Sequence, residues 1–460
     1  MKRVVIVGMG FGGIRAANGL GGKGLDVLVL DRQNFHLFQP LLYQVATAML
    51  GQESIAHSIR SIIRHYKGVH FEMAEVQGID LDKKQVITAT ASIPYDYLVI
   101  ATGSVTNFFG NEEVKKHAFD LKQLDDAVTL RNHVLSVFER AVKEPDPKVR
   151  EALMTFVIVG GGPTGTEFAG SLSELTHHVL TKDYPELPVQ NSKIILLEAS
   201  EHVLGPFPKK LQEYAKRRLQ RMGVTVRLKT PVSGATFDRV FLKDGGEIPA
   251  YTLFWSAGVQ AAPLSGVLPV PKGRGGRIVV QPDLSLKEHP EVFVIGDMAH
   301  LEQDGTPLPM LAPVAMQEGE YVAKAIVQRE QGGQIKPFRY WDKGTMAVIG
   351  RSSAVANVGP LKLMGFFAWL AWLGLHLFYL IGFRNRVLTA IDWAFDYLFF
   401  DRQVRLITRE RSEPADQESH VQNTEVPEQQ QHVEAQVEGT GTARGHEIAQ
   451  GRNAKEKVPA

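Results

Sequence analysis

The chain of 460 residues carries 51 Lys and Arg against 50 Asp and Glu, a net charge of +1, and it has no cysteine. A near-neutral chain has no bulk electrostatic reason to bind nucleic acid. The missing thiols exclude disulfides, thiolate metal sites and every dithiol or sulfenate mechanism, and the length suits two or three α/β domains.

The first element is the apolar run Val4-Val5-Ile6-Val7, which runs straight into Gly8-Met9-Gly10-Phe11-Gly12-Gly13. Strand, glycine turn and helix in that order make a dinucleotide cradle. The glycines admit a pyrophosphate close to the backbone, and the helix N-terminus offers N–H groups and partial positive charge. The next strand, Asp26 to Leu30, ends in Asp31, where a carboxylate accepts from the adenosine ribose. Lys2-Arg3 is basic, but the first strand follows at once without a cleavage-site pattern. The body is therefore expected to face the cytoplasm or an equivalent matrix-like space.

Tyr95 to Ile100 reads as a further strand, running through Ala101 into Thr102-Gly103. The cradle then repeats. Phe156-Val157-Ile158-Val159 leads into Gly160-Gly161-Gly162-Pro163-Thr164-Gly165, and the strand Lys193 to Leu197 ends in Glu198. An acid at this point favours NADH over NADPH, because it repels a 2′-phosphate. Thr176 to Ser192 lengthens the spacing between helix and strand, and the closing strand ends at Gly258. The apolar strand Val292 to Ile295 then ends in Gly296-Asp297, which returns the chain to the first unit and sets a carboxylate beside a ribityl chain.

The expected fold class is α/β, with two Rossmann-like dinucleotide-binding domains, one inserted in the other, and a C-terminal membrane-docking helical segment. The expected divisions are 1–154 and 266–340 for the FAD-binding domain, 155–265 for the NADH-binding domain, 341–408 for the membrane-anchoring region and 409–460 for a disordered tail. Leu363 to Phe383 holds no Asp, Glu, Lys or Arg, and read as one helix it would reach roughly 30 Å. Trp369, Trp372, His376 and Tyr379 share one stripe, with Leu370, Leu373, Leu377 and Leu380 on another. Val387 to Phe400 carries Leu388, Ile391, Phe395 and Leu398 on one face. We read 361–406 as a hairpin lying on the bilayer surface, with a spanning or buried helix as the alternatives. The tail after 410 has no aromatic residue and too little apolar area to offset its ordering entropy.

Two glycine cradles, Ala101-Thr102-Gly103 and Gly296-Asp297 are shared by many flavin reductases. More specific are Asn34-Phe35-His36-Leu37-Phe38-Gln39-Pro40-Leu41-Leu42-Tyr43-Gln44, Ala312-Pro313-Val314-Ala315-Met316-Gln317-Glu318-Gly319 and Gly382-Phe383-Arg384-Asn385-Arg386. With these, residues 1–408 resemble the type II NADH:quinone oxidoreductases of the two-dinucleotide flavoprotein superfamily. The resemblance implies a monotopic, commonly homodimeric membrane enzyme with one non-covalent FAD. It would oxidise NADH and reduce a membrane quinone, ubiquinone or menaquinone, without pumping protons or using a metal. Some relatives carry Gln at the position of Pro313, so a quinone contact from that position is not carried over.

On this reading Gly8, Gly10, Gly12 and Gly13 hold the FAD pyrophosphate and Asp31 its ribose, Thr102 and Gly103 approach it from the far edge, and Gly296-Asp297 bring a carboxylate to its ribityl chain. Gly160, Gly162, Gly165, Glu198 and Gly258 hold NADH. Glu167, near the start of the second nucleotide helix, points toward the nicotinamide and couples hydride transfer to quinone reduction. Gln317 opens a helix aimed at the flavin and donates to a quinone carbonyl, with Ala315 on the same side. Tyr43 and His376 are candidate proton sources. Two rivals share the cradles: a soluble reductase for a protein acceptor or oxygen, and a non-catalytic NADH sensor. The first has no use for the apolar C-terminal run, and the second has no use for Glu167 and Gln317.

Overall fold

The structure is a computed structural model that describes residues 1–402 and 404–408. The tail expected to be disordered lies outside the described residues.

The chain opens with β1 (Arg3–Val7), α1 (Phe11–Leu20) and β2 (Asp26–Asp31), followed by the short α2 (Leu42–Ala46). Strands β3 (Val69–Met73), β4 (Tyr97–Ile100) and β5 (Ser104–Thr106) come next, and then the long helix α3 (Leu124–Lys143). The second unit begins with β6 (Thr155–Val159), α4 (Pro163–Glu174) and β7 (Lys193–Leu197), and continues through β8 (Val224–Arg227), β9 (Thr252–Trp255) and β10 (Val259–Ala261). The chain returns through β11 (Val292–Val294) and α5 (Ala312–Glu330). It then forms β12 (Thr345–Gly350), β13 (Ser353–Val358), β14 (Leu361–Gly365), α6 (Phe366–Tyr379) and α7 (Phe383–Phe399).

Two parallel sheets carry the architecture. The first runs β11-β4-β1-β2-β3, so the late strand β11 completes the sheet begun at the N-terminus. The second runs β8-β7-β6-β9. Both are runs of buried Val, Ile, Leu and Phe, as sheets covered on both faces require. β5 and β10 pair antiparallel and tie the two units together.

The C-terminal region differs from its sequence expectation. Residues Leu361–Gly365 form an edge strand of a three-stranded antiparallel sheet with β12 and β13, where Leu363 stands opposite Ala356. Gly365, at φ +77°, ends that strand, and α6 starts only at Phe366. Its 14 residues reach about 21 Å, short of a bilayer core. No helix among the described residues is long and apolar enough to cross a membrane. The stripe of Trp369, Trp372 and His376 faces the protein, where Trp372 is buried and stacks on His376. Leu373, Leu377 and Leu380 also turn inward, so the two expected stripes do not divide into an inner and an outer side. The outer face belongs to Phe367, Leu370, Leu375 and Phe378 of α6, with Val387, Ile391, Phe395 and Leu398 of α7.

Candidate functional site

The two cradles are built alike. Gly8 and Gly160 sit at φ +99° and +105°, a backbone region closed to most side chains. A Cβ on Gly13 would stand 1.9 Å from the Gly8 carbonyl oxygen, and one on Gly165 would stand 1.9 Å from that of Gly160. Only glycine at the third position lets the helix begin against the turn. Asp31 accepts from the Met9 N–H at 2.6 Å and the Gln33 N–H at 2.9 Å. Glu198 accepts from the Gly161 N–H at 2.6 Å and the Ser200 N–H at 2.7 Å. The two acids expected at the riboses therefore also shape their glycine turns.

A cavity of about 540 Å³ lies between the two units. Gly8, Gly10, Asp31, Thr102, Gly103 and Asp297 contribute to its wall from the first unit. Thr164, Glu167, Phe254 and Gly258 contribute from the second, and Leu311, Ala312 and Ala315 bring the N-terminus of α5 to it. Its volume falls in the ~300–1,000 Å³ range of cofactor sites. The lining suits a flavin dinucleotide. A Cβ on Gly10 or Gly103 would meet open space, and the buried Thr102 hydroxyl has no partner among the described residues. Gly160, Gly162 and Gly165 are not on this wall.

Glu167 and Tyr43 line this cavity and also a second one, of about 50 Å³, that leads toward α6 and α7. At ~15 Å³ per probe-sized water, the second cavity has room for about three. Gln44, Ser171, Glu174, Trp372, Trp393 and Asp396 also line it. Burial pushes the Glu167 carboxyl up to about 8, against the single opposing hydrogen bond from the Val348 N–H at 3.3 Å. Burial also holds the Tyr43 phenol well above 10, and the nearby Glu167 charge adds to this. The phenol accepts from Gln44 Nε2 at 2.8 Å, and Gln44 Oε1 in turn accepts from Trp393 Nε1 at 2.7 Å. A neutral acid and a neutral phenol thus stand where the two cavities meet.

Other expected residues fall elsewhere. Helix α5 begins at Ala312, so Gln317 lies in its second turn and does not open it. Its side chain makes a reciprocal pair with the Trp341 backbone, both bonds at 3.0 Å, and it lines neither cavity. His376 lines neither cavity as well. Its Nδ1 donates to the Trp372 carbonyl at 2.7 Å, and burial lowers its pKa to about 4, leaving a neutral ring.

The structure adds three features to the expected set. Glu318, one residue past Gln317, is buried and accepts the Gly296 N–H at 2.5 Å, with burial raising its pKa to about 8. Lys122 donates to Ser104 Oγ at 3.1 Å, and Ser104 donates to Asp297 at 2.6 Å, so a lysine from the loop before α3 reaches the large cavity. Arg402, wholly buried, pairs with Glu174 and Asp396 at 3.2 Å each and donates to the Thr47 and Ser171 carbonyls at 2.9 Å. It fastens the chain after α7 to α2 and α4. The Glu318 position was within reach, since it sits in the most specific motif of the chain. Lys122 and Arg402 depend on long-range packing.

Fold and cavity together define a two-dinucleotide reductase of the pyridine nucleotide-disulphide type, and residues 2–319 match the family model described as "Pyridine nucleotide-disulphide oxidoreductase". Residues 342–403 match the model of the "NDH2 C-terminal domain". The chain is 41% identical over 414 residues to the type II NADH:quinone oxidoreductase NdhA of Mycobacterium tuberculosis, covering 86% of this chain and 87% of that protein. It is 40% identical to Ndh of the same organism, covering 89% and 91%. Its fold matches NDH2 from Plasmodium falciparum in complex with NADH, with a TM-score of 0.81 at 19% identity over 89% of this chain and all of that one. The chain belongs to the type II NADH:quinone oxidoreductase family and is an NADH:quinone oxidoreductase of that type.

Proposed function

We propose that the chain binds FAD non-covalently in the large cavity and takes NADH on the second cradle. It passes two electrons to a membrane quinone that enters past α6 and α7, without moving protons across the membrane. The observation that carries this reading is the junction at Glu167 and Tyr43, which line both the large cavity and a second one walled by Trp369 and Trp372 of α6 and Trp393 and Tyr397 of α7. A bound flavin would supply the two-electron relay between donor and acceptor. Gly8 to Gly13 and the start of α1 would hold its pyrophosphate, Asp31 its ribose, and Thr102 and Asp297 its ribityl side.

The reaction NADH + H⁺ + quinone → NAD⁺ + quinol takes up one proton. Glu167, neutral below about pH 8, is positioned to give it at the quinone end, and Tyr43 offers a second donor there. Gln317 keeps a place in this reading only as a support of the α5 start, since its amide is engaged by Trp341.

The apolar face of α6 and α7 supports docking on the bilayer surface. Phe367, Phe378 and Phe383 are 73%, 69% and 82% exposed. Each leaves roughly 2 kcal/mol of transfer free energy unrealised in water. The assembly expected from the family resemblance is a homodimer.

The test is anaerobic stopped-flow on the purified flavoprotein. NADH should bleach the flavin, and a short-chain quinone should restore it. With a long-chain quinone in vesicles, Phe367→Glu/Phe378→Glu should lose the second step only. Bleaching that no quinone reverses would turn the reading toward a protein or oxygen acceptor.

A further inference from the structure

Lys122 is a half-buried cation on the wall of the large cavity. Among the described residues its ammonium hydrogen-bonds to one group, the neutral hydroxyl of Ser104, at 3.1 Å. Among the described residues it has no carboxylate at ion-pair distance. Burial lowers its pKa from 10.5, and the more distant charges of Asp297 and Asp120 offset this only in part. An ammonium partly withdrawn from water with no anion beside it is disfavoured, so such a site favours a negative charge on whatever fills the cavity.

The neighbours of Lys122 say which part of a bound dinucleotide it faces. Its carbonyl accepts from Gln39 Nε2 at 3.0 Å, at the turn that leads into α2 and Tyr43. Phe119, three residues earlier, bridges to Phe254 on β9, and Phe254 and Trp255 line the cavity from the second unit. Through Ser104 it adjoins Asp297, on the ribityl side. None of its hydrogen bonds reaches Gly8 to Gly13 or Asp31. The pyrophosphate has its own donors in the first glycine turn and the start of α1.

We propose that Lys122, held by Ser104, is the charge that tunes the flavin: it stabilises the negative charge that two electrons bring to the ring and raises the cofactor's reduction potential. The residue acts electrostatically on a charge absent before NADH reacts and present after it. The inference rests on the FAD reading given above. The start of α5, at Leu311 and Ala312, supplies a second positive end to the same cavity, so Lys122 adds to a field that the fold already provides.

The experiment is spectroelectrochemical titration of the purified holoprotein with its two variants K122Q and K122R. K122Q should keep its flavin and show a midpoint lower by about 30 mV or more, which is a tenfold fall in a two-electron reduction equilibrium. K122R should recover most of that loss. S104A, which removes only the hydroxyl that steadies the ammonium, should lower the midpoint by a smaller amount, and it serves as the readout if K122Q does not accumulate. An unchanged midpoint in K122Q or S104A overturns the proposal. Loss of flavin as the main effect of K122Q overturns it too, and makes the lysine an anchor for the cofactor's phosphates. A wild-type chain that never carries flavin fails the FAD reading itself, and the proposal with it.

Discussion

The two glycine cradles differ in what closes over them, although their turns are nearly the same. The first is walled in. Helix α5 crosses α1 so closely that a Cβ on Gly319 would stand 2.2 Å from the Gly12 carbonyl oxygen. Gly8, Gly10 and Gly12 line the large cavity together with Thr102, Asp297 and Ala315. The second cradle gives that cavity only Thr164 and Glu167 from α4, and its three fingerprint glycines stay off the wall. One turn chemistry thus serves two purposes. A copy set in the wall of the large cavity suits a cofactor that stays, and a copy outside it suits a substrate that leaves every cycle. Enclosure comes from the returning β11, which completes the first sheet, and from α5, which packs on α1.

The largest effects should separate the cradles outright. Gly13→Ala forces a Cβ against the Gly8 carbonyl, and Gly165→Ala does the same against Gly160. Each collision costs about 3 kcal/mol, at the upper end for overpacking. Gly13→Ala should purify without flavin and with a lowered Tm. Gly165→Ala should keep its flavin and raise the KM for NADH by roughly 150-fold, the ratio that about 3 kcal/mol produces. Visible absorbance and initial rates read both variants. Flavin loss from Gly165→Ala would erase the distinction between resident and passing nucleotide.

Next in size is the loss at the junction of the cavities. Glu167 is neutral below about pH 8 because burial disfavours its charged form. If it gives the proton, turnover should hold below that pH and fall tenfold per unit above it. Glu167→Gln cannot give a proton, so it should lower kcat by about 10²-fold and flatten that fall. NADH bleaching of the flavin should stay near wild type. A variant with the wild-type pH profile would leave Tyr43 as the donor.

Much of the fold was legible because strand, glycine turn, helix and acid follow one another along the chain. β1 through Asp31 and β6 through Glu198 are each local patterns that chemistry fixes. The C-terminal region was harder. An uncharged run from Leu363 to Phe383 has the composition of one helix. Only pairing with β13 makes its start a strand, and hydrogen bonds to a strand far from any helix template leave no periodic mark. The sequence left the exposed side of α6 open for a similar reason, since it takes the packing of Trp372 against Trp393 of α7 to draw the aromatic stripe inward. Lys122 was invisible because nothing local links it to Ser104. Gln317 carried a family motif, yet its amide went to Trp341, whose backbone lies 24 residues on.

The smallest effect tests the acids, which the two cradles use in the same geometry. Glu198→Gln keeps one acceptor oxygen but sets an amide where a carboxylate held the Gly161 and Ser200 N–H groups. One of those bonds is lost, and a hydrogen bond to a charged acceptor is worth about 1.5–3 kcal/mol. The same change removes the repulsion toward a 2′-phosphate. The KM for NADH should rise severalfold, and the preference for NADH over NADPH in kcat/KM should narrow by about tenfold, or about 1.4 kcal/mol. Asp31→Asn loses the equivalent bond from Met9 or Gln33 but should leave both nicotinamide constants alone, because its ligand does not turn over. Its effect should appear as faster flavin release on dilution. If Asp31→Asn shifted the NADH constants as much as Glu198→Gln, the cradles would not divide the labour between them, and enclosure by α5 would have to be explained as packing alone.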